Sequence, residues 1–207
     1  MALDDLLDRA RGPMGPAVDV DFGVGRRAWQ QLGAALTRIN GFFLFNAGVQ
    51  VFRVGDDQGW GPELSSWNRP ETWKDSYQGL ADDLFCFGQD LFGVQFAIDG
   101  GGQVVTLDPE TGQRSALGTS LDEWAAWLLA EPDERGAATF ARAWQDTFGP
   151  LTPEQRLIPR QFFVTGGTYD LANLIVQDAA AAMRIRGPIA RQVHDLPDGA
   201  HISFAVD

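Results

Sequence analysis

Apolar residues recur along this chain with a helical period in some segments and a period of two in others, and the switches between them predict its elements. Ala2–Arg11 has the pattern of a short helix, after which Gly12, Pro13, Gly15 and Pro16 break the chain. Residues 1–24 are therefore expected to form a loosely attached arm, with a single folded domain over 25–207. Between Gly25 and Asn40, Trp29, Leu32, Leu36 and Ile39 share one helical stripe, and Asn40-Gly41 is a stop signal. Phe42–Phe45 and Val49–Val54 are β-rich runs around Asn46-Ala47-Gly48, the pattern of a hairpin. Gly55–Gly79 is then a long polar connection holding Trp60, Trp67 and Trp73, with a turn of helix near Glu71–Tyr77.

The clearest β region follows. Leu84–Phe87, Val94–Ile98, Val104–Leu107 and Gln113–Leu117 predict strands, with turns at Gln89-Asp90, Asp99–Gly102 and Asp108–Gly112. Connections this short make an antiparallel meander. Ser120 and Glu123 form a capping box for a helix over Ser120–Ala130, whose stripe is Leu121, Trp124, Trp127 and Leu128. A second helix is predicted over Asp133–Thr147, with Phe140, Trp144 and Phe148 on one face and Gly149-Pro150 as its stop. Gln161–Val164 and Leu174–Val176 predict short strands, Ala179–Arg186 a helix interrupted at Gly187-Pro188, and His201–Val206 a last strand. The fold class is α+β: a central, mostly antiparallel sheet with helices packed on it.

Composition sharpens this picture in three places. Seven Trp and fourteen Phe against two Tyr mean that most rings must be buried, since so many exposed would aggregate. Trp29, Trp124, Trp127 and Trp144 lie on helical stripes and belong to the core. Trp60, Trp67 and Trp73 follow no period, which leaves two readings: a recognition surface, or a loop packed on the domain. One cysteine, Cys86, excludes an intramolecular disulfide, and no apolar run reaches membrane-spanning length. The chain opens on acidic residues rather than on a basic leader, so a cytoplasmic protein without membrane association is expected. A net charge of −12 repels phosphate backbones and argues against nucleic acid as a partner. That acidity serves either solubility or the steering of a basic protein partner. The residues nominated for such a partner are Trp60, Trp67, Trp73, Asp82, Asp83 and Asp90.

Catalytic chemistry finds little to stand on. Gly23-Val24-Gly25-Arg26-Arg27-Ala28 matches a dinucleotide fingerprint in letters, but the preceding segment is charged at alternate positions and no acidic residue falls where a ribose would need it. His194 and His201 are the only histidines, there is no Gly-x-Ser-x-Gly elbow, and Cys86 sits inside an apolar strand. Asp82, Asp83, Asp90, Asp99 and Asp108 lie near strand ends and would hold a cation only by converging. Turn chemistry accounts for Asp99 and Asp108 without one. No catalytic group, metal or cofactor is therefore expected. The rival reading, a small hydrolase built on these aspartates and His194, requires a pocket where they meet.

Three stretches, in their order, resemble the SUKH superfamily of Smi/Knr-type domains. They are the helix closing on Leu36-Thr37-Arg38-Ile39-Asn40-Gly41; Leu91–Ile98 followed by Val104–Gly112; and the helix Ser120-Leu121-Asp122-Glu123-Trp124-Ala125-Ala126-Trp127-Leu128-Leu129. The tail, Phe163-Val164-Thr165-Gly166-Gly167 with Asn173-Leu174, is similar to the C-terminal extension of related bacterial immunity-type proteins. The resemblance implies an α+β fold without catalytic residues. It also implies a role shared by bacterial members, which bind and neutralise polymorphic toxins, many of them nucleases. The superfamily also holds regulatory and scaffolding members, so a housekeeping interaction module is the alternative. The resemblance transfers no site residues.

Overall fold

Six strands lie side by side in chain order in the computed structural model, which describes residues 1–55, 60–197, 199 and 200. They are β1 (Phe42–Leu44), β2 (Val49–Val51), β3 (Phe85–Asp90), β4 (Gln95–Ile98), β5 (Val104–Leu107) and β6 (Arg114–Gly118), every neighbouring pair antiparallel. Turn chemistry sets this meander. Asp90, Asp99 and Asp108 each fold a carboxylate back onto N–H groups of their own turn, which fixes tight reversals between strands. The helices are α1 (Ala2–Leu7), α2 (Arg27–Arg38), α3 (Leu64–Trp67), α4 (Leu121–Ala130), α5 (Pro132–Arg135), α6 (Ala138–Phe148) and α7 (Ala179–Val193). A separate antiparallel pair, β7 (Gln155–Pro159) and β8 (Leu174–Asp178), leads into α7. The fold is α+β, as the pattern predicts.

One face of the sheet is aromatic and lies under α2 and α4. Trp124 meets Phe87 and Phe96 edge-on at 5.3 and 5.6 Å, and Trp29 lies 4.7 Å from Phe85. Ser120 caps α4 as expected, its Oγ accepting from Glu123 N–H at 3.3 Å, while the Glu123 carboxylate accepts from Thr119 N–H. A β-bulge between Cys86 and Gly88 shifts the alternation of β3 by one residue. Phe85 and Phe87 therefore point to the helices while Gln89 turns to the opposite face.

That opposite face corrects the reading of the long connection. Trp67 and Trp73 are 3% and 1% exposed and belong to the core; of the three, Trp60 alone is open, at 71%. Phe52, Trp67, Trp73 and Tyr77 form a chain of rings with successive centroids 5.0, 6.0 and 5.3 Å apart. The segment folds as α3 and two short 3-10 turns, Pro70–Thr72 and Lys74–Tyr77, so its inward face changes every few residues and no single period shows.

Other departures have equally local causes. The first 24 residues are not a loose arm: Leu3, Leu6, Leu7 and Met14 are buried. Leu3 N–H also reaches Asp122 at 3.0 Å, and Arg11 exchanges two backbone hydrogen bonds with Phe43. The helix expected over 133–147 is split at Gly136-Ala137. Phe45 packs so closely on Gly136 that a Cβ there would lie 2.4 Å from its ring, and Ala137 takes a left-handed φ of 51°. Gly187-Pro188 does not end α7, which runs on to Val193. The glycine lets the helix press on the 3-10 turn at Lys74–Tyr77, where a Cβ would meet Ser76 Oγ at 2.3 Å. Gln161–Val164 is no strand; Phe163–Thr165 is a 3-10 turn, and the strand instead is β7, ending on Pro159. The strand predicted at His201–Val206 lies outside the described residues.

At the β1–β2 turn, Phe45, Asn46 and Ala47 are left-handed in succession, with φ of 52°, 57° and 65°. Each costs a non-glycine residue on the order of 1 kcal/mol. Helix α6 holds the turn. Asn46 donates to Ala138 C=O at 3.1 Å, and Gln145 donates to Asn46 C=O at 2.5 Å.

Burial orders the tryptophans for mutation. Trp67→Ala, Trp73→Ala and Trp124→Ala should each lower stability by about 3–5 kcal/mol in urea unfolding. Trp60→Ala should stay within about 0.5 kcal/mol of the parent. A Trp67→Ala midpoint matching that of Trp60→Ala would contradict the packing described here.

Candidate functional site

Three glutamines occupy consecutive ladder positions on three adjacent strands: Gln50 of β2 opposite Gln89 of β3, and Gln89 opposite Gln95 of β4. All are fully buried. A buried amide left unbonded costs about 1–3 kcal/mol, so the row must be closed at both ends. Gln89 donates to Gln50 Oε1 at 3.0 Å, and Trp67 Nε1 donates to Gln95 Oε1 at 2.8 Å. Gln50 Nε2 donates to Pro153 C=O and Gln95 Nε2 to Gly93 C=O. At the Gln50 end the buried Arg156 of β7 donates a guanidinium N–H to Oε1. An amide seam thus joins the sheet to its C-terminal layer.

Beside the seam lies a charged pocket under the β3–β4 turn. Arg186 of α7, 1% exposed, donates from Nε to Ala182 C=O and from Nη1 to Phe92 C=O, while Nη2 has no partner among the described residues. Gly93 makes this possible. Its φ is +86°, and a Cβ there would lie 2.5 Å from Arg186 Nη2. Asp90 Oδ1 accepts from Phe92 and Val94 N–H at 2.9 and 2.8 Å. The surrounding protein displaces water and raises Asp90 to about 6, against the turn N–H donors and the charges of Arg186 and Arg156. Part of its surface still opens outward. Glu110, also buried, is pushed up to about 7, against the pull of Val164 N–H, which donates to its Oε2 at 3.0 Å. Phe92, Val94, Asp108, Glu110, Phe163, Tyr169 and Arg186 enclose a cavity of about 40 Å³ here.

Phe92, Val94 and Tyr169 separate that cavity from a larger groove of about 770 Å³. Its walls are Phe96, Thr106 and the β6 residues Ser115, Ala116 and Leu117 on one side, and Trp127, Ala137 and Phe140 on the other. Phe92 meets Phe140 and Tyr169 edge-on at 5.3 and 5.2 Å, and Tyr169 stacks on Phe163 at 3.8 Å. Asp90 opens into the groove, and Asp133 and Glu134 of α5 line it as well. Its single cation is Arg135, whose guanidinium lies 5.0 Å from the Trp127 ring centroid and donates to Glu131 Oε1 and Trp127 C=O, both at 2.9 Å. The lining holds no histidine, cysteine or lysine.

Of the residues nominated from the sequence, Asp90 lines this groove. Asp82 and Asp83 lie beyond the opposite end of β3, and both are exposed. Arg114 bonds the Asp83 carboxylate at 2.7 Å and holds it below its usual value, an exposed pair worth little to stability. Trp60 is open but does not line the groove, and Trp67 and Trp73 are buried. The aspartates of the hydrolase reading do not converge. Asp99 and Asp108 serve their turns, and among the described residues no three His, Cys, Asp or Glu side chains are placed to share a metal ion. His194 rests against Thr111 C=O at 3.0 Å, and burial pushes the Cys86 thiol up to about 12, which leaves it inert. The sequence pattern does not bring the groove residues Phe92, Trp127, Phe140 and Tyr169 together as a site. Phe140 and Trp127 carried the signal, as aromatic positions on helical stripes that stay half-exposed.

No protein-family model matches this chain, and no curated protein matches it. Among solved structures it is similar to Atu4351 from Agrobacterium tumefaciens, with a TM-score of 0.55 and 15% sequence identity over 88% of this chain and 86% of that one. The likeness is one of fold. Among the described residues no helix is long and apolar enough to cross a membrane.

Gln50→Leu strands the buried Arg156 guanidinium and should cost about 3–5 kcal/mol in chemical unfolding. Cost near that of an exposed substitution would mean that the seam does not bind the layers. Asp90 and Glu110 are both raised from starting values of 3.8 and 4.5, so the folded chain holds their protons more tightly than the unfolded chain does. The resulting stabilisation is complete below those starting values and is lost as pH rises through about 6 and about 7. Thermal midpoints should therefore fall between about pH 4 and pH 7, and Asp90→Asn, which mimics the protonated form, should flatten the fall. An identical slope in parent and variant would place Asp90 in ordinary solvent.

Proposed function

We propose that this chain is a non-catalytic protein-binding domain, an immunity-type protein that neutralises a basic bacterial toxin in the cytoplasm. The observation that carries the reading is the groove beside β6: aromatic walls, three carboxylates and one already-neutralised arginine, on a chain of net charge −12. Such a surface attracts a cationic partner and speeds its association. Aromatic side chains at a groove are the usual anchors of protein interfaces. The resemblance to SUKH domains supplies the toxin. A nuclease is the toxin class whose substrate cleft is most strongly basic, and an acidic protein seated there would exclude nucleic acid by charge as well as by bulk.

Co-expression with the protein encoded by the adjoining gene tests this. The expected outcome is a co-purifying complex, weakened by salt, and survival of cells that the neighbour alone would kill. Complex formation without protection would point to a regulatory interaction module, and neither complex nor protection would dismiss the reading.

A further inference from the structure

We propose that the groove beside β6 receives an arginine side chain of the protein partner, its guanidinium laid against the ring faces and directed at Asp90. The inference deepens the protein-binding reading and rests on it. Three observations lead to it. First, the groove, of about 770 Å³, has room for a whole side chain, and Trp127, Phe140, Phe92 and Tyr169 line it. Aromatic walls favour a planar, weakly hydrated cation, which describes arginine better than lysine. The protein uses this chemistry on itself, since Arg135 already lies over Trp127 at 5.0 Å.

Second, negative charge there is in excess. Along the groove lining Asp90, Asp133 and Glu134 stand against one arginine, which Glu131 claims, while Arg186 and Arg156 act on Asp90 from outside the lining. The Glu131 carboxyl, by hydrogen bond and by charge, also raises Glu134 above its ordinary value, against the pull of Arg135. Third, Asp90 is held ready. Both turn hydrogen bonds fall on Oδ1, and Oδ2 accepts from no donor among the described residues. A carboxylate oxygen left open on a side chain that lines an aromatic groove suits a charge-assisted hydrogen bond from a guanidinium. A second copy of the chain is a poorer occupant, because two bodies of charge −12 repel.

The test uses the full chain and three labelled pentapeptides that differ at one central position: arginine, lysine or citrulline. Binding is read by fluorescence anisotropy at low salt, with quenching of tryptophan emission as a second signal. The arginine peptide should bind, the lysine peptide several-fold more weakly, and the neutral citrulline peptide weakest. The double variant Asp133→Asn/Glu134→Gln, both exposed positions, should weaken arginine binding several-fold, as should Asp90→Asn. Trp60→Ala should change nothing. Equal binding of arginine and citrulline, indifference to the carboxylate variants, or no binding of any peptide would overturn the proposal. So would sedimentation showing a dimer whose dissociation the double variant alters, which would give the groove to a second copy. If the toxin complex forms but ignores these variants, the groove assignment falls and the protein-binding reading stands. If no basic partner binds at all, the broader reading falls first.

Discussion

A polar side chain sealed from water has to be bonded, and in this protein three such side chains sit in one row across the middle of the sheet. Gln50, Gln89 and Gln95 bond in sequence, and the row ends on Trp67 at one side and Arg156 at the other. Much else follows from closing it. The bulge in β3 is needed to turn Gln89 onto this face while the phenylalanines around it stay under the helices. The aromatic segment between β2 and β3 is needed to bring the Trp67 indole N–H, and β7 to bring the guanidinium. An apolar row would pack adequately with many partners; an amide row accepts few. The seam therefore ties β7 and the residues before it to the sheet, and Arg186 of α7 reaches the turn beside it.

How much of this could be read from the residues depends on whether a signal is local. The meander was legible because its causes lie within a few positions: an aspartate at each reversal, β-rich runs between, and the Ser120 cap on α4. The tryptophans of the long connection were misplaced because their burial is long-range. Trp67 is held by Gln95, twenty-eight positions on, and the 3-10 turns around it leave no period to find. The N-terminal segment was misread for the same reason, its apolar residues being covered by α4 more than a hundred positions away. Gly187-Pro188 carries the right letters for a stop, yet α7 runs through both to Val193, the glycine serving the close approach to Ser76.

The candidate site was legible only in fragments. Asp90 stood out as a turn residue, and the acidity of the chain pointed to a cationic partner. Nothing in the order of residues, however, brings Phe92, Trp127, Phe140 and Tyr169 together. They come from the β3–β4 turn, two helices and the segment before β8, and only the fold makes them one surface. Asp82 and Asp83, chosen for charge, lie past the other end of the strand that carries Asp90. Charge alone thus does not single out a region, and the coincidence of carboxylates with rings does.

The left-handed turn between β1 and β2 bears on that region from a distance. It is held by hydrogen bonds to Ala138 and from Gln145 on α6, the helix that also carries Phe140. Drawing α6 outward would break both bonds and let three unfavourable backbone angles relax together. The hairpin is therefore tied to the helix behind one aromatic wall, so that wall rests partly on residues no visiting molecule would touch.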